Sequence, residues 1–359
     1  MSKLRVGLLG ATGIAGQQFI SALASHPWFE VAQIAASERS NGKTLREALT
    51  DKHGGLRWYA GGELPEAAGK LVLQPAEALK TEGLSLVFSA VESDPAKILE
   101  PLYAKSLPVI SAAAAFRYEP DVPLILPQIN PGHLALVRAQ QRLRGTKGFI
   151  LPIPNCTTTG LAIALKPIVD AFGLKRAFLT SMQAVSGAGR SPGVVALDIV
   201  DNVIPFIANE EEKVARENGK ILGTLDGERV VPLAAPVSCT CTRVPVLEAH
   251  SGAVFASLDR PATVTELERV LTAYRCPEVD GLPSAPKQWI ALHRDPYRPQ
   301  PRLDRDAGDG MTTSVGRVRL DSAIENGLKL FWVSHNTKMG AAKGAILLAE
   351  LCKARGYLG

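Results

Sequence analysis

The stretch LRVGLLGATGIAGQQF, residues 4–19, restricts the fold more than any other part of the chain. An apolar run ends at a glycine, a glycine-rich turn follows, and a helical pattern begins at once, which reads as strand, tight turn, helix. Gly10, Gly13 and Gly16, with Thr12 and Ile14 between them, form a G-x-x-G-x-x-G turn. Glycines there let the backbone turn sharply and let amide groups at the helix start approach a pyrophosphate. A dinucleotide site is one use of such a turn; close packing of the helix on the strand is the other.

The same alternation continues. The spacing predicts a helix over 13–27 that stops before Pro27, a strand over 29–37, buried strands over 84–91 and 107–113, and a helix over 94–106 between them. Buried strands alternating with helices imply an α/β fold with a Rossmann-like, doubly wound parallel sheet over residues 1–150. From 151 to 337 the pattern changes. The segments 176–187, 229–247 and 252–259 read as longer strands rich in Thr and Ser, 193–222 as mostly helical, and 263–275 as a helix. These suit a second α+β domain with a more antiparallel sheet. Residues 338–359 form an amphipathic terminal helix expected to pack back on the first domain. The Pro-, Arg- and Asp-rich stretch 283–311 reads as loop-rich, and its pattern gives it no place in either domain.

Two domains also suit a chain of 359 residues. Its 40 Lys and Arg against 35 Asp and Glu leave a net charge of +5, spread along the chain. Such a distribution implies neither a nucleic-acid nor a membrane partner, and a mild excess suits an anionic small substrate. No window reaches the roughly 18 apolar residues of a membrane span. The start lacks the apolar core of a signal peptide. Cys156, Cys239, Cys241, Cys276 and Cys352 include no C-x-x-C pair. Neither a disulfide framework nor a structural zinc site is implied, so reduced thiols and a cytoplasmic location are expected, with no metal. Cys239 and Cys241 share one strand face without further ligands in view. Cys276 and Cys352 read as structural.

Two short segments carry chemistry. After the second strand come Ser37, Glu38, Arg39 and Ser40. An NAD site commonly places an acidic residue there for the ribose diol, whereas an arginine between serines suits a 2′-phosphate, so NADP is favoured. A solvated turn with a capping serine is the alternative. The second segment is LPIPNCTTTGLAIALKPI, residues 151–168. Cys156 stands where a Pro-broken approach becomes a helix, with Thr157 to Thr159 able to cap. A helix N-terminus stabilises a thiolate and offers N–H groups to an oxyanion. A nucleophilic cysteine needs a proton-transfer partner, and of six histidines His250, at a strand end, stands out. By residue type alone a lone cysteine is more often a core filler and a lone histidine more often a satisfied hydrogen-bonder.

Further motifs extend along nearly the whole chain: GATGIAG (10–16), ASERSNGK (36–43), PNCTTTGLAIALKP (154–167), QAVSGAGRSPGVVALDIVDNVIPFIANEEEKV (183–214), TRVPVLEAHSG (242–252), SVGRVR (314–319) and SHNTKMGAAKGAILLAELC (334–352). Together they resemble aspartate-β-semialdehyde dehydrogenase, in particular its archaeal and fungal branch. The resemblance implies that Cys156 forms an acyl-thioester and His250 is the acid/base. It implies that Arg243 pairs with the substrate α-carboxylate, Glu210 with its amine, Lys213 and Arg117 with phosphate, and that Gln183 orients the acyl group. Ser186, Gly187 and Asn336 would help hold the cofactor. The implied reaction is NADPH-dependent reduction of 4-phospho-L-aspartate to L-aspartate 4-semialdehyde with release of inorganic phosphate, in lysine, methionine and threonine biosynthesis. A homodimer or homotetramer built through the second domain's sheet is implied too. One departure stands out: Ala112, in SAAAAFR, occupies the place of the family's asparagine. A malonyl-CoA reductase-type paralogue and a non-catalytic NADP-binding regulator are the alternatives; N-acetylglutamyl-phosphate reductase fits PNCTTTG poorly.

Overall fold

The computed structural model describes residues 2–188 and 196–358. Its first sheet holds β1 (Leu4–Leu9), β2 (Phe29–Ala36), β3 (Leu73–Pro75), β4 (Leu86–Ser89), β5 (Val109–Ser111) and β6 (Ile150–Pro152), in the spatial order β3-β2-β1-β4-β5-β6. Every pairing is parallel. The glycine-rich turn leads from β1 into α1 (Ile14–Leu23). Two short helices, α2 (Leu45–Leu49) and α3 (Glu66–Gly69), precede β3; α4 (Ser93–Ala104) joins β4 to β5, and α5 (Leu136–Arg144) precedes β6. The short strands β3 and β6 were not expected from the pattern, because three residues carry no periodicity of their own. Sheet order reverses between β1 and β4, which opens a crevice at their C-terminal ends.

Beyond β6 the chain enters α6 (Cys156–Phe172), which leads into the second sheet. That sheet contains β7 (Arg176–Gln183), β10 (Val237–Arg243), β11 (His250–Ser257), β12 (Ile290–His293), β13 (Thr313–Asp321) and β14 (Gly327–Ser334), in the order β10-β7-β11-β14-β13-β12. Its pairings are mixed: β10 with β7 and β12 with β13 are parallel, the rest antiparallel. The remaining helices are α7 (Ala196–Ile199), α8 (Glu210–Ile221), α9 (Val264–Ala273), α10 (Pro301–Asp304) and α11 (Lys343–Ala354), and β8 (Thr224–Asp226) pairs with β9 (Arg229–Val231) as a hairpin. Helix α6 lies tightly on the sheet: a methyl group at Gly160 would sit 2.4 Å from the ring of Trp332. The opposite sheet face is open, with Phe178 and Phe255 exposed and in register across β7 and β11.

The structure refines three segments. The segment 193–222, expected to be mostly helical, holds two separate helices, α7 and α8, and residues 193–195 lie outside the described residues. Pro205 lacks an N–H and forces the preceding residue towards extended backbone. Ile204 accordingly pairs as a strand with Arg243, in both directions at 3.0 and 2.8 Å. The stretch 229–247 is likewise split into β9 and β10, with Pro232 and Pro236 between them. The loop-rich residues 283–311, which the pattern does not place, contribute the edge strand β12. At the C-terminus a π-type turn (Lys338–Ala342) precedes α11, which packs against α1 and β5. His26 Nε2 meets Glu350 at 2.7 Å there.

Candidate active site

Cys156 is the first residue of α6, and Asn155 is its N-cap. The Asn155 carboxamide oxygen accepts from Thr157 N at 2.8 Å and Thr158 N at 3.1 Å. Asparagine, not the threonines, therefore caps the helix, and these two N–H groups are not free to face an oxyanion. Cys156 Sγ lies 3.1 Å from His250 Nε2. His250 opens β11, and its Nδ1 accepts the N–H of Ala184 at 3.0 Å. An acceptor Nδ1 fixes the neutral ring in the tautomer whose proton sits on Nε2, facing the sulfur. Ala249, just before, takes φ +77, a region disfavoured for a residue with a Cβ. Its N–H is held at 2.8 Å by Asn336 Oδ1, while Asn336 Nδ2 donates to Ser186 Oγ at 2.8 Å.

Around this pair stand the other expected residues. Arg243 ends β10 and donates from Nη1 to Ala184 O at 2.9 Å. Gly187 is packed so closely that a Cβ would come within 2.8 Å of His250 Cε1 and 3.0 Å of Arg243 Nη1. Glu210 Oε1 accepts from Asn155 Nδ2 at 2.8 Å and from Gln183 Nε2 at 3.1 Å. Lys213 Nζ lies 4.0 Å from Glu210 Oε2. Arg117 is buried and donates to Glu217 Oε1 at 2.9 Å and to Ala112 O at 3.0 Å. The Ala112 contact uses the backbone carbonyl, which any residue at that position would offer.

A cavity of about 930 Å³ joins the two sheets' sites. It is lined on one side by Gly13 and Ile14 and on the other by Cys156, Gln183, Ser186, Gly187, Glu210, Lys213, Arg243, Arg117 and Asn336. Gly10, Thr12, Gly16, Ser37, Arg39 and Ser40 are not on its wall. Gly10 and Gly16 build the turn instead. Gly10 has φ +79, and a Cβ on Gly16 would stand 2.2 Å from Gly10 O. The turn carries no side-chain cap at the start of α1, which leaves helix-start N–H groups for an anion. Ser37 and Arg39 are exposed at the end of β2, beside that turn, where Gly10 N and Ala11 N both bond Ala35 O. These residues fit a dinucleotide laid from the β2 end across the turn into the cavity.

Electrostatically, burial outweighs the helix end. The Cys156 thiol is pushed up to about 12, by burial first and by Glu210 second, against the opposing pull of Arg117 and Arg243. The His250 imidazole is pushed down to about 3 by burial, then by Arg243 and His335. A thiolate preformed by the helix N-terminus, as the sequence suggested, is therefore not the resting state. Cys239 and Cys241 lie on β10 with Cys241 buried, and among the described residues no group of three His, Cys, Asp or Glu could hold a metal ion.

Sequence reasoning missed three contributors. Glu217 is fully buried on α8, Ala184 acts through its backbone, and Gly340 packs against Cys156. Only Glu217 left a readable trace, as an acidic residue seven positions after Glu210 and so on the same helix face.

Residues 5–137 match the model of the semialdehyde dehydrogenase NAD binding domain, and residues 165–339 that of the semialdehyde dehydrogenase dimerisation domain. Aspartate-semialdehyde dehydrogenase of Archaeoglobus fulgidus is 45% identical, covering 96% of this chain and 97% of the relative. That of Methanothermobacter thermautotrophicus is 43% identical over 97% and 98%. Among solved structures, aspartate-semialdehyde dehydrogenase with NADP from Candida albicans superposes with a TM-score of 0.88 at 39% identity, covering 99% of this chain and all (100%) of that one. Aspartate-semialdehyde dehydrogenase II of Vibrio cholerae, complexed with ASA, gives 0.77 at 28% identity, with 100% of both chains covered.

Proposed function

Since the chain belongs to the aspartate-semialdehyde dehydrogenase family, we propose that its cavity carries out the NADPH-dependent reductive dephosphorylation of 4-phospho-L-aspartate to L-aspartate 4-semialdehyde. The reverse reaction is the phosphate-dependent oxidation of the semialdehyde. The observation that carries the reading is the 3.1 Å approach of Cys156 Sγ to His250 Nε2 on the wall of a cavity that also exposes two buried arginines.

The residues divide the work as follows. Cys156 attacks the acyl carbon as its thiol proton passes to the departing phosphate, the tetrahedral adduct collapses with cleavage of the C–O bond, and hydrogen phosphate leaves, so that the acyl group is held as a thioester. Held along the glycine turn, NADPH would supply the hydride for this acyl group; the aldehyde then leaves as its C–S bond breaks and Cys156 Sγ takes up a proton. His250 is the acid/base, because its Nε2 is the proton-carrying atom nearest the sulfur and any acyl oxygen on it. Arg243 offers a planar fork to the α-carboxylate. Glu210 faces the amine and Gln183 orients the acyl group, while Lys213 and Arg117 receive the phosphate. Gly10, Thr12, Gly13, Ile14 and Gly16 cradle the pyrophosphate. Ser186, Gly187 and Asn336 support the nicotinamide side, and Ser37, Arg39 and Ser40 read the 2′-phosphate.

On this reading residues 1–150, with the returning helix 338–359, bind the cofactor, and 151–337 serve catalysis and self-association. The open sheet face bearing Phe178 and Phe255 suits a second copy of the chain, giving a homodimer or homotetramer. No described helix is long and apolar enough to cross a membrane. Five unpaired thiols support a cytoplasmic setting.

The decisive experiment follows NADP⁺ reduction by L-aspartate 4-semialdehyde with and without inorganic phosphate. Reduction that requires phosphate is expected. Silence there, with NADPH oxidation by malonyl-CoA, would transfer the chemistry to a CoA-dependent paralogue; silence with both would leave a cofactor-binding regulator.

A further inference from the structure

We propose that Glu217 is a positioning residue that holds Arg117 at the phosphate side of the cavity and ties it to the start of the nucleophile's helix. The proposal rests on the reading of Arg117 as a phosphate ligand. Glu217 is fully buried, and its two oxygens reach two different parts of the site. Oε1 accepts from Arg117 Nη1 at 2.9 Å and from Tyr118 Oη at 3.3 Å. Oε2 accepts the backbone N–H of Asn155 at 2.6 Å, one residue before Cys156.

Only a carboxylate can do this. It is acceptor-only, so it satisfies all three donors at once, and it neutralises a guanidinium taken out of water. A glutamine would turn its own N–H₂ against one of them. Arg117 is not consumed by the arrangement. One further contact goes to Ala112 O at 3.0 Å, and its Nε is buried without a partner. The guanidinium carries five N–H groups in a fixed fork, so anchoring one edge on Glu217 leaves others for an oxyanion on the cavity side.

The same helix secures the rest of the segment. Lys220, three residues on from Glu217, donates from Nζ to Arg117 O and Glu119 O at 2.9 Å each and to Val122 O at 2.7 Å. Helix α8 thus presents Glu210 to the Asn155 side chain, Glu217 to the Asn155 backbone and Arg117, and Lys220 to the loop that carries Arg117. Displacement of Arg117 therefore moves one end of a link whose other end is the cap of Cys156.

The test uses the full-length protein in the phosphate-dependent oxidation. Glu217→Gln is expected to raise KM for inorganic phosphate about tenfold, the scale of losing one charge-assisted hydrogen bond to a buried ligand group, while KM for the semialdehyde changes less than about twofold. Arg117→Ala should raise the phosphate KM on its own, and Glu217→Gln added to it should raise it no further. An unchanged phosphate KM in folded Glu217→Gln, or a full additive rise in the double variant, overturns the proposal. If Glu217→Gln does not fold, Glu217→Asp keeps the charge but shortens its reach, and a wild-type phosphate KM in that variant overturns it equally. A readout without turnover separates this idea from the reaction itself: protection of Cys156 from iodoacetamide by inorganic phosphate. Protection in wild type that is weakened in Glu217→Gln supports the role even if the wild type shows no phosphate-dependent oxidation. Equal protection in both, or none in wild type, overturns it.

Discussion

Cys156 Sγ sits 3.1 Å from Nε2 of His250, and the far nitrogen of the same ring accepts the N–H of Ala184 at 3.0 Å. The second contact governs the first. A protonated Nδ1 would point its hydrogen at another N–H, so the imidazolium is disfavoured and the neutral ring directs Nε2–H at the sulfur. The thiol is pushed up to about 12 and the imidazole down to about 3. Iodoacetamide labelling of Cys156 in the substrate-free protein should therefore be slow at neutral pH and still rising at pH 9. A plateau reached between pH 5 and 8 would reveal a preformed thiolate–imidazolium pair and contradict this.

The same depressed histidine predicts acid lability. His250 at about 3 and His335 at about 4 lie below the 6.5 of the unfolded chain. The unfolded state then binds more protons between these values, so their contribution is fully present above pH 6.5 and is lost as pH falls. At pH 5 each costs about 2 kcal/mol of stability. Denaturant midpoints at pH 7.5 and 5 should differ accordingly, and His250→Asn should flatten the difference. An equal slope in the variant would exclude His250 as a source.

Gly340 approaches the nucleophile from the π-type turn, where a methyl group would stand 2.8 Å from Cys156 Cβ and 3.0 Å from its Cα. Gly340→Ala should displace the sulfur from His250. We expect kcat to fall at least about tenfold, as misplacement of a reacting group does, with the fold retained. Wild-type kcat in that variant would show that the turn yields without moving Cys156.

Arg243 is buried on the cavity wall, with one N–H group spent on Ala184 O. Arg243→Lys replaces a planar fork with a point charge. KM for the semialdehyde should rise about tenfold or more with a smaller change in kcat. An unchanged KM would remove Arg243 from the carboxylate site.

Arg39 is exposed at the β2 end, apart from the cavity wall. If it reads the 2′-phosphate, Arg39→Ala should raise KM for NADP⁺ several-fold and leave KM for NAD⁺ nearly unchanged, as loss of one solvent-exposed charge pair would. Equal losses for both cofactors would assign it no part in the choice.

Much of this molecule is legible in its amino-acid sequence. The glycine turn, the buried strands β1, β2, β4 and β5 and the nucleophile's helix are local patterns, set by residue spacing within one element. Family motifs singled out Arg243, Glu210 and Asn336, which spacing within one element does not mark. The prolines at 205, 232 and 236 were present too, but their effect was outweighed in the reading by the apolar pattern around them. Hence a mostly helical segment was expected where two separate helices occur, and one strand where there are two.

What tertiary structure alone decided concerns groups distant along the chain. Position in sequence identified Cys156 as a helix-start cysteine, and a helix dipole by itself favours its thiolate. Burial beside Glu210, 54 residues away in sequence, reversed that preference. The tautomer of His250 was set by the backbone of Ala184, and the anchoring of Arg117 by Glu217. Desolvation and hydrogen-bond direction depend on what closes around a group in three dimensions, and no local spacing encodes that. The sequence determined which residue types could perform the chemistry and on which elements they sit; packing determined their protonation, their orientation and their partners.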